Sequence, residues 1–293
     1  MLEKIAALVQ DPPPEYVFEI GPHSVAMARV AGGSQAVIEE LAPGVLAPSP
    51  VKDNVLDPPA LDAAIRRLLA SAGSSRRQRR AALILPDNSA RVSVLDFDLF
   101  PPKPEDQLPL LQFRLKKMLP YDIDSAAISY FTQPLTLSGK HEVVTVATPL
   151  EVIARYEAPF RAANVQTGIV TVSHLAALDL VPPQGVTIVA KLSGDLLTVM
   201  ATENTSLRLA RSLELTELTL DEIAADLYPT FAYCEDSLGA RPELLLLCGF
   251  EDLANEAARR FEHELATKVE SLPFRNAGIA GYLQSRKLQG VAA

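Results

Sequence analysis

Short apolar runs separated by turn residues organise the first part of this chain. Residues 16–20, 24–30 and 35–41 concentrate apolar side chains over the length of a strand, with glycine-bearing turns at Gly21 and at Gly32-Gly33 between them. Apolar runs of this length, bounded by glycine or proline, predict β-strands joined by tight turns. The pattern therefore predicts a three-stranded β-meander.

The same pattern returns in the second half of the chain. Residues 186–192, 196–201 and 207–213 are again three apolar segments of strand length, with Gly194 in the first turn. Helix, strand and helix patterns follow each predicted meander. This repeat predicts an internally duplicated α/β fold, in which the two first turns face each other across a cleft.

The remaining apolar positions predict alternating helices and strands. Compact apolar runs at 81–85 and 244–248 are typical of strands buried on both faces. The predicted helices are 1–10, 61–69, 105–119, 150–163, 173–180, 220–238, 252–265 and 279–284, and the other predicted strands are 92–97, 127–133, 142–147, 165–172 and 269–272.

Composition excludes several classes of protein. The chain has 293 residues, 48% of them hydrophobic, which is enough for a buried core, yet its longest apolar runs are too short to cross a bilayer. The first ten residues do not resemble a secretion signal, so we expect a soluble, cytoplasmic protein. A net charge of −9 argues against a nucleic-acid partner. Two cysteines without CxxC spacing exclude a disulfide framework and fit a reducing cytosol.

Common enzyme signatures are absent from the sequence. The four histidines are scattered without HxH or HExxH spacing, so we predict no metal site. No GxSxG, Walker or GxGxxG motif occurs. One basic cluster, Arg76 to Arg80 in SSRRQRR, is interpreted first as a solvated loop after a helix. Contact with anionic lipid or an acidic partner is the alternative.

Four segments, at 17–30, 82–130, 160–178 and 276–288, resemble those of the PilM family of actin-like type IV pilus assembly proteins. Residues 17–30 (VFEIGPHSVAMARV) resemble its first phosphate-binding segment, usually of the form DIGxxSVK. Residues 82–130 resemble its LP-D-S-x-R strand and the following helix, and KKMLPYDID at 116–124 is the most specific motif. Residues 160–178 and 276–288 resemble a later strand–helix segment and the closing glycine-rich helix. The cytoplasmic domain of the type II secretion protein GspL is a related alternative.

This resemblance implies an actin-like (ribonuclease H-like) α/β fold of two duplicated lobes. The first lobe is expected at 1–180, with an inserted α+β subdomain at about 86–160, and the second at 181–293. The family has a small subdomain over the nucleotide base, between the second meander and the next helix. Here only a few residues separate 213 from 220, so that subdomain is expected to be reduced or missing.

The resemblance also implies a scaffold role. PilM-like proteins lie at the cytoplasmic face of the inner membrane, bind the cytoplasmic tail of the membrane protein PilN, and connect it to the pilus motor. We therefore expect a PilN-like partner, further platform or motor partners and peripheral attachment to the membrane through a protein. Self-association as a homo-oligomer, and type II secretion rather than pilus assembly, stay open.

Actin-like nucleotide sites need glycine turns that hold phosphates and carboxylates that hold hydrated magnesium. The matching positions of this chain form a degenerate cofactor site, in which no residue is assigned a catalytic role. They are Glu19, Gly21, His23, Ser24, Gly194, Asp195 and Gly249.

Several departures weaken this site. Pro22 removes a backbone N–H, Ala26 replaces the usual basic residue, and Lys191 stands where the second turn has a carboxylate. Phe250 follows Gly249 and could fill space that a nucleotide needs. We therefore expect no ATP hydrolysis and no bound ATP or magnesium. The alternative is a nucleotide-binding ATPase or sugar-kinase relative that uses Glu19, Asp195 and Ser24 with magnesium.

Overall fold

The structure, a computed structural model, describes residues 13–31, 35–73, 77–136, 139–183 and 185–291. The predicted helix at 1–10 and the predicted turn at Gly32-Gly33 lie outside these residues. No helix among the described residues has both the length and the apolar character needed to cross a membrane.

Strands occur where the apolar runs predict them. The strands of the described residues are β1 (Tyr16–Ile20), β2 (Ser24–Arg29), β3 (Val37–Glu40), β4 (Arg79–Leu85), β5 (Arg91–Phe97), β6 (Ala126–Thr132), β7 (His141–Pro149), β8 (Val165–Val172), β9 (Val186–Ser193), β10 (Leu196–Glu203), β11 (Ser206–Glu214), β12 (Leu244–Cys248) and β13 (Lys268–Ser271).

The helices of the described residues also follow the predicted order. They are α1 (Pro58–Ser71), α2 (Pro104–Leu115), α3 (Leu150–Ala162), α4 (Ser173–Ala177), α5 (Leu220–Tyr233), α6 (Ala254–Leu265) and α7 (Ala277–Val291). Short 3-10 turns occur at Asp87–Ser89, Ile123–Ser125, Leu178–Leu180 and Glu251–Leu253, and a π-helical turn at Cys234–Leu238 extends α5.

Two five-stranded sheets share one topology, which confirms the duplicated α/β plan. Their strand orders are β3-β2-β1-β4-β8 and β11-β10-β9-β12-β13. In each sheet an antiparallel meander continues, through its first strand, into parallel strands. Because β1 and β9 hold equivalent central places, the residues at their carboxyl ends are expected to lie at equivalent points of the two lobes.

A third sheet is inserted between β4 and β8 of the first lobe. Its order is β5-β7-β6, and apolar side chains of its strands pack against Leu111 and Leu115 of α2. The following helix α3 instead contributes Tyr156 and Phe160 to the first-lobe core. The sheet and α2 together span 91–149, a shorter segment than the predicted 86–160, and the limits of the two lobes stay a prediction.

The second lobe has a direct connection at the position of the missing subdomain. Only residues 215–219 separate β11 from α5. Thr219 accepts a hydrogen bond from the backbone N–H of Glu222 and caps α5. The connection therefore agrees with the expected reduction of this lobe.

The arginine cluster is only partly a loop. Arg79 and Arg80 belong to β4, and Arg76 lies outside the described residues. The Arg79 guanidinium donates to the backbone oxygens of Leu69 and Gly73 at the end of α1. The interpretation of the whole cluster as a solvated loop was therefore wrong for Arg79, because its side chain satisfies carbonyl groups at a helix end.

Candidate functional site

The two meander turns face each other across a cleft between the lobes. A cavity of about 360 Å³ in this cleft is lined by Glu19, Gly21, His23, Ser24, Gly194 and Gly249. The structure thus brings together six of the seven candidate site residues. Asp195 lines a neighbouring cavity of about 690 Å³, together with Pro22 and Asp87.

The two turns are in direct contact within this cleft. A Cβ atom placed on Gly194 would lie 3.2 Å from Cγ of Pro22 and 3.4 Å from Nε2 of His23. These separations are tighter than ordinary van der Waals spacing, so a phosphate group does not fit between Gly194 and the Pro22-His23 segment in this arrangement.

Glu19 is held by the last helix of the chain. Its carboxylate accepts hydrogen bonds from the hydroxyl of Ser173 and from the backbone N–H groups of Gly278 and Ile279 in the first turn of α7, at 3.3 and 2.9 Å. Burial raises the pKa of Glu19 above its usual value, against the opposing effects of the Lys191 ammonium and these hydrogen bonds. A carboxylate in this position anchors the start of α7.

Asp87 carries the second carboxylate of the cleft. Its Oδ2 accepts from Nζ of Lys191 at 2.8 Å, and its Oδ1 accepts from the backbone N–H of His174 at 2.7 Å. Burial alone would raise the pKa of Asp87, but Lys191 and His174 outweigh burial and hold the pKa well below its usual range. Asp87 is therefore ionised at neutral pH.

Lys191 enters this site from β9 of the second lobe. It is 5% exposed, and burial would lower the pKa of its ammonium. Attraction to Asp87 and Glu19 overcomes burial and raises that pKa, so the side chain stays charged. The position predicted as a lost carboxylate is therefore occupied by a cation that faces two carboxylates.

His174 completes the surroundings of Asp87. Its Nδ1 lies 3.2 Å from Oδ1 of Asp87, but neither ring nitrogen makes a hydrogen bond of acceptable geometry with the described residues. The ring is 2% exposed and also borders a small cavity beside Arg91 and Arg211. His174 therefore contributes both its backbone N–H, which Asp87 accepts, and an imidazole ring packed beside the same carboxylate.

Gly249 has a packing role in the second lobe. Its φ is +73°, and a Cβ atom added to it would lie 2.3 Å from the backbone oxygen of Leu192. Only glycine allows β12 to end this close to β9. Phe250 is 3% exposed and its ring lies 6.5 Å from that of Phe261, so it belongs to the second-lobe core.

The donor set does not match the magnesium nucleotide that the resemblance implies. Hydrated magnesium needs carboxylates that are free to accept from its waters. Glu19 already accepts three hydrogen bonds, and Asp87 is paired with Lys191. Within the described ranges no group of three or more His, Cys, Asp or Glu residues has the geometry to hold a metal ion.

Sequence reasoning missed Asp87, Ser173 and His174 as parts of this site. A signal for Asp87 was present, because it follows the buried strand β4 and so lies at the carboxyl edge of parallel strands, where ligand sites concentrate. Ser173 and His174 follow β8 at the same edge. No sequence pattern indicates that Lys191 reaches them.

No protein-family model matches this chain, and neither does any curated protein. Solved structures do match it. A chain of the PilM-PilN type IV pilus biogenesis complex has a TM-score of 0.78 and 18% sequence identity, over 96% of this chain and 99% of that one.

Two further structures extend the comparison. A Bacteroides thetaiotaomicron protein with an actin-like ATPase fold and unknown function has a TM-score of 0.55 and 13% identity, over 92% and 95% of the two chains. The cytoplasmic domain of EpsL, an inner membrane component of the Vibrio cholerae type II secretion system, has a TM-score of 0.54 and 10% identity, over 94% of each chain. This chain therefore has the actin-like fold, which confirms the predicted fold class and, at the level of fold, the resemblance to PilM.

Proposed function

We propose that this protein is an actin-like scaffold of a type IV pilus or type II secretion platform, and that it binds the cytoplasmic tail of a PilN-like membrane protein. The observation that carries the proposal is the match of nearly the whole chain to a chain of the PilM-PilN complex. The protein would then lie at the inner membrane through this partner, with other platform or motor proteins as further partners.

The proposed scaffold does not hydrolyse ATP. The contact between the two turns and the pairing of Asp87 with Lys191 support this part of the proposal. Phosphate transfer depends on positioning the phosphates and on cations that neutralise them. In this cleft the contact between Gly194 and Pro22 leaves no place for a phosphate between the turns. The Lys191 ammonium is already paired with Asp87 and is not free to neutralise one.

We place the tail-binding surface along β6 of the inserted sheet. This strand forms an edge of the sheet and carries no charged residue, glycine or proline, the usual protections of a free edge. Phe131, near one end of β6, is 48% exposed. At the other end Ala126 pairs with Pro149, and the next residue, Leu150, is 55% exposed. An extended tail of about seven residues would span β6 and could add to it as a strand.

Binding of a synthetic tail peptide tests this proposal. The peptide is the cytoplasmic N-terminal segment of a PilN-like membrane protein from the same organism, and binding is measured by isothermal titration calorimetry. Phe131→Glu is expected to weaken binding by about tenfold or more, because it places a charge on the apolar edge. Phe274→Glu is the control, since Phe274 is 40% exposed beside α7 and away from β6. An absence of wild-type binding at high micromolar concentration would contradict the scaffold role.

Phosphate release tests the absence of hydrolysis. Wild-type protein with MgATP is expected to match a buffer blank. The ATPase alternative would instead require phosphate release that Glu19→Ala abolishes. A signal unchanged by Glu19→Ala would come from another protein in the sample.

A further inference from the structure

Three buried charges meet between the lobes. Glu19 and Asp87 come from the first lobe and are 5% and 2% exposed. Lys191 comes from the second lobe and is also 5% exposed. Its Nζ lies 2.8 Å from Oδ2 of Asp87, and Glu19 is close enough to attract the same ammonium. One cation therefore serves two carboxylates.

A cation is required at this point of the fold. An ionised carboxylate removed from water strongly destabilises a protein unless it is paired. The protein supplies the positive charge itself, from the strand that holds the same place in the second sheet as the strand of Glu19 holds in the first. The neighbouring Cys248 adds no further negative charge, because burial raises the pKa of its thiol to about 12 and keeps it neutral.

The same contact joins the lobes. Asp87 lies on the loop after β4, and Lys191 lies in β9. Nearby, Nδ2 of Asn88 donates to Oε1 of Glu214 at 3.2 Å, again between the lobes. With Gly194 packed against Pro22, groups of the chain itself hold the two first turns in contact across the cleft.

We propose that Lys191 is a tethered cation that takes the place of a divalent metal between Glu19 and Asp87, keeps the lobes closed without a ligand and excludes metal-bound nucleotides. This inference deepens the proposed scaffold function and rests on it. Lobes held in one arrangement would present the tail-binding surface in a single geometry. A hydrophobic pair would also close the cleft, but only a cation can compensate the buried charge of Asp87.

Thermal unfolding of the full chain with and without millimolar Mn²⁺ tests the proposal. Lys191→Gln is expected to lower the unfolding midpoint by several degrees, and Mn²⁺ is expected to restore it by binding the Asp87 carboxylate that Lys191 no longer covers. The wild type and Lys268→Gln are expected to show no response to Mn²⁺. Lys268 is a suitable control because its side chain is 67% exposed and it pairs with Glu270 at the surface.

Lys191→Gln/Asp87→Asn keeps the test decisive if the single variant does not fold. This neutral pair is expected to fold and to ignore Mn²⁺. A Mn²⁺ response of the wild type equal to that of Lys191→Gln would overturn the proposal. An unfolding midpoint of Lys191→Gln equal to that of the wild type would also overturn it. So would a Lys191→Gln variant that fails to fold even in Mn²⁺ while the double variant folds. Tail-peptide binding by the wild type is measured separately, so loss of that binding would remove the scaffold role and leave this result standing.

Discussion

The two lobes share one strand order but carry opposite charges at matching strand ends. Near its carboxyl end β1 bears Glu19, whereas β9 bears Lys191. After the next parallel strand, the first lobe places Asp87 and the second lobe places Phe250 in its own core. The duplicated backbone thus determines which positions of the two lobes meet. The side chains at those positions differ, so the lobes join through an ion pair and do not present the same charge to each other.

Removing Asp87 is expected to disturb the pairing of the lobes most severely. Asp87→Ala leaves the Lys191 ammonium buried with only Glu19 to face, and we expect the free energy of unfolding to fall by about 3–5 kcal/mol. Urea denaturation measures the loss, with Asp221→Ala as the control, since the Asp221 side chain is 82% exposed. Asp87→Ala/Lys191→Met should recover part of the stability. Equal effects of Asp87→Ala and Asp221→Ala would contradict the buried ion pair.

Gly249→Ala tests the close approach of β12 to β9 in the second lobe. The new Cβ would meet the Leu192 carbonyl and the residue would keep a positive φ, so we expect a loss of about 2–4 kcal/mol in urea denaturation. Gly44→Ala is a matched control, because Gly44 has φ +84° and no atom within 4 Å of an added Cβ. Its loss should be about 1–2 kcal/mol, from the left-handed backbone alone. A similar loss in both variants would show that the contact with Leu192 relaxes easily.

Protonation of the two buried carboxylates is expected to change the free energy of unfolding in opposite directions. The folded-state pKa of Asp87 lies below its unfolded value, so the unfolded chain binds that proton first and stability falls as the pH drops below about 4. Glu19 has the opposite sign, since its raised pKa lets the folded protein take up a proton earlier and partly offsets the loss. The other groups facing Asp87 are Lys191 and His174, and the Lys191 ammonium stays charged throughout this range.

The measurement is the free energy of unfolding between about pH 5 and pH 2. Asp87→Asn/Lys191→Met should show a shallower fall than the wild type, by at most about 1.4 kcal/mol per pH unit for one linked proton. Parallel slopes would mean that Asp87 does not have a lowered pKa.

The smallest expected effect concerns the inserted sheet, which has no counterpart among the described residues of the second lobe. The Gln133 side chain accepts from the Leu207 backbone N–H at 2.7 Å and donates to the Leu207 oxygen at 2.8 Å, joining the insertion to β11. Gln133→Ala is expected to lower stability by about 1 kcal/mol and to raise amide hydrogen exchange at Leu207. Thr136→Ala, in the turn between β6 and β7, is the control for the exchange measurement, and equal exchange at Leu207 in both variants would count against the bridge.

Local sequence patterns are sufficient to specify the elements of this protein and their repetition. Strand-length apolar runs and glycine turns are local signals, so both meanders could be predicted from the residues alone. The short link from 213 to 220 likewise leaves no room for a subdomain, because a few residues cannot fold into one. The duplication predicted that the first turns, which hold Gly21 and Gly194, face each other across one cleft, and the resemblance to the PilM family added Glu19 and Gly249.

The roles of those residues depend instead on the tertiary structure. The Lys191–Asp87 pair joins residues 104 positions apart, and the Glu19 hydrogen bonds to α7 span 259 and 260 positions. No local pattern encodes such partners, since they depend on how two separately patterned lobes close on each other. Burial then fixes the chemistry, because a charge removed from water must be compensated nearby, and for Asp87 the paired ammonium is that of Lys191.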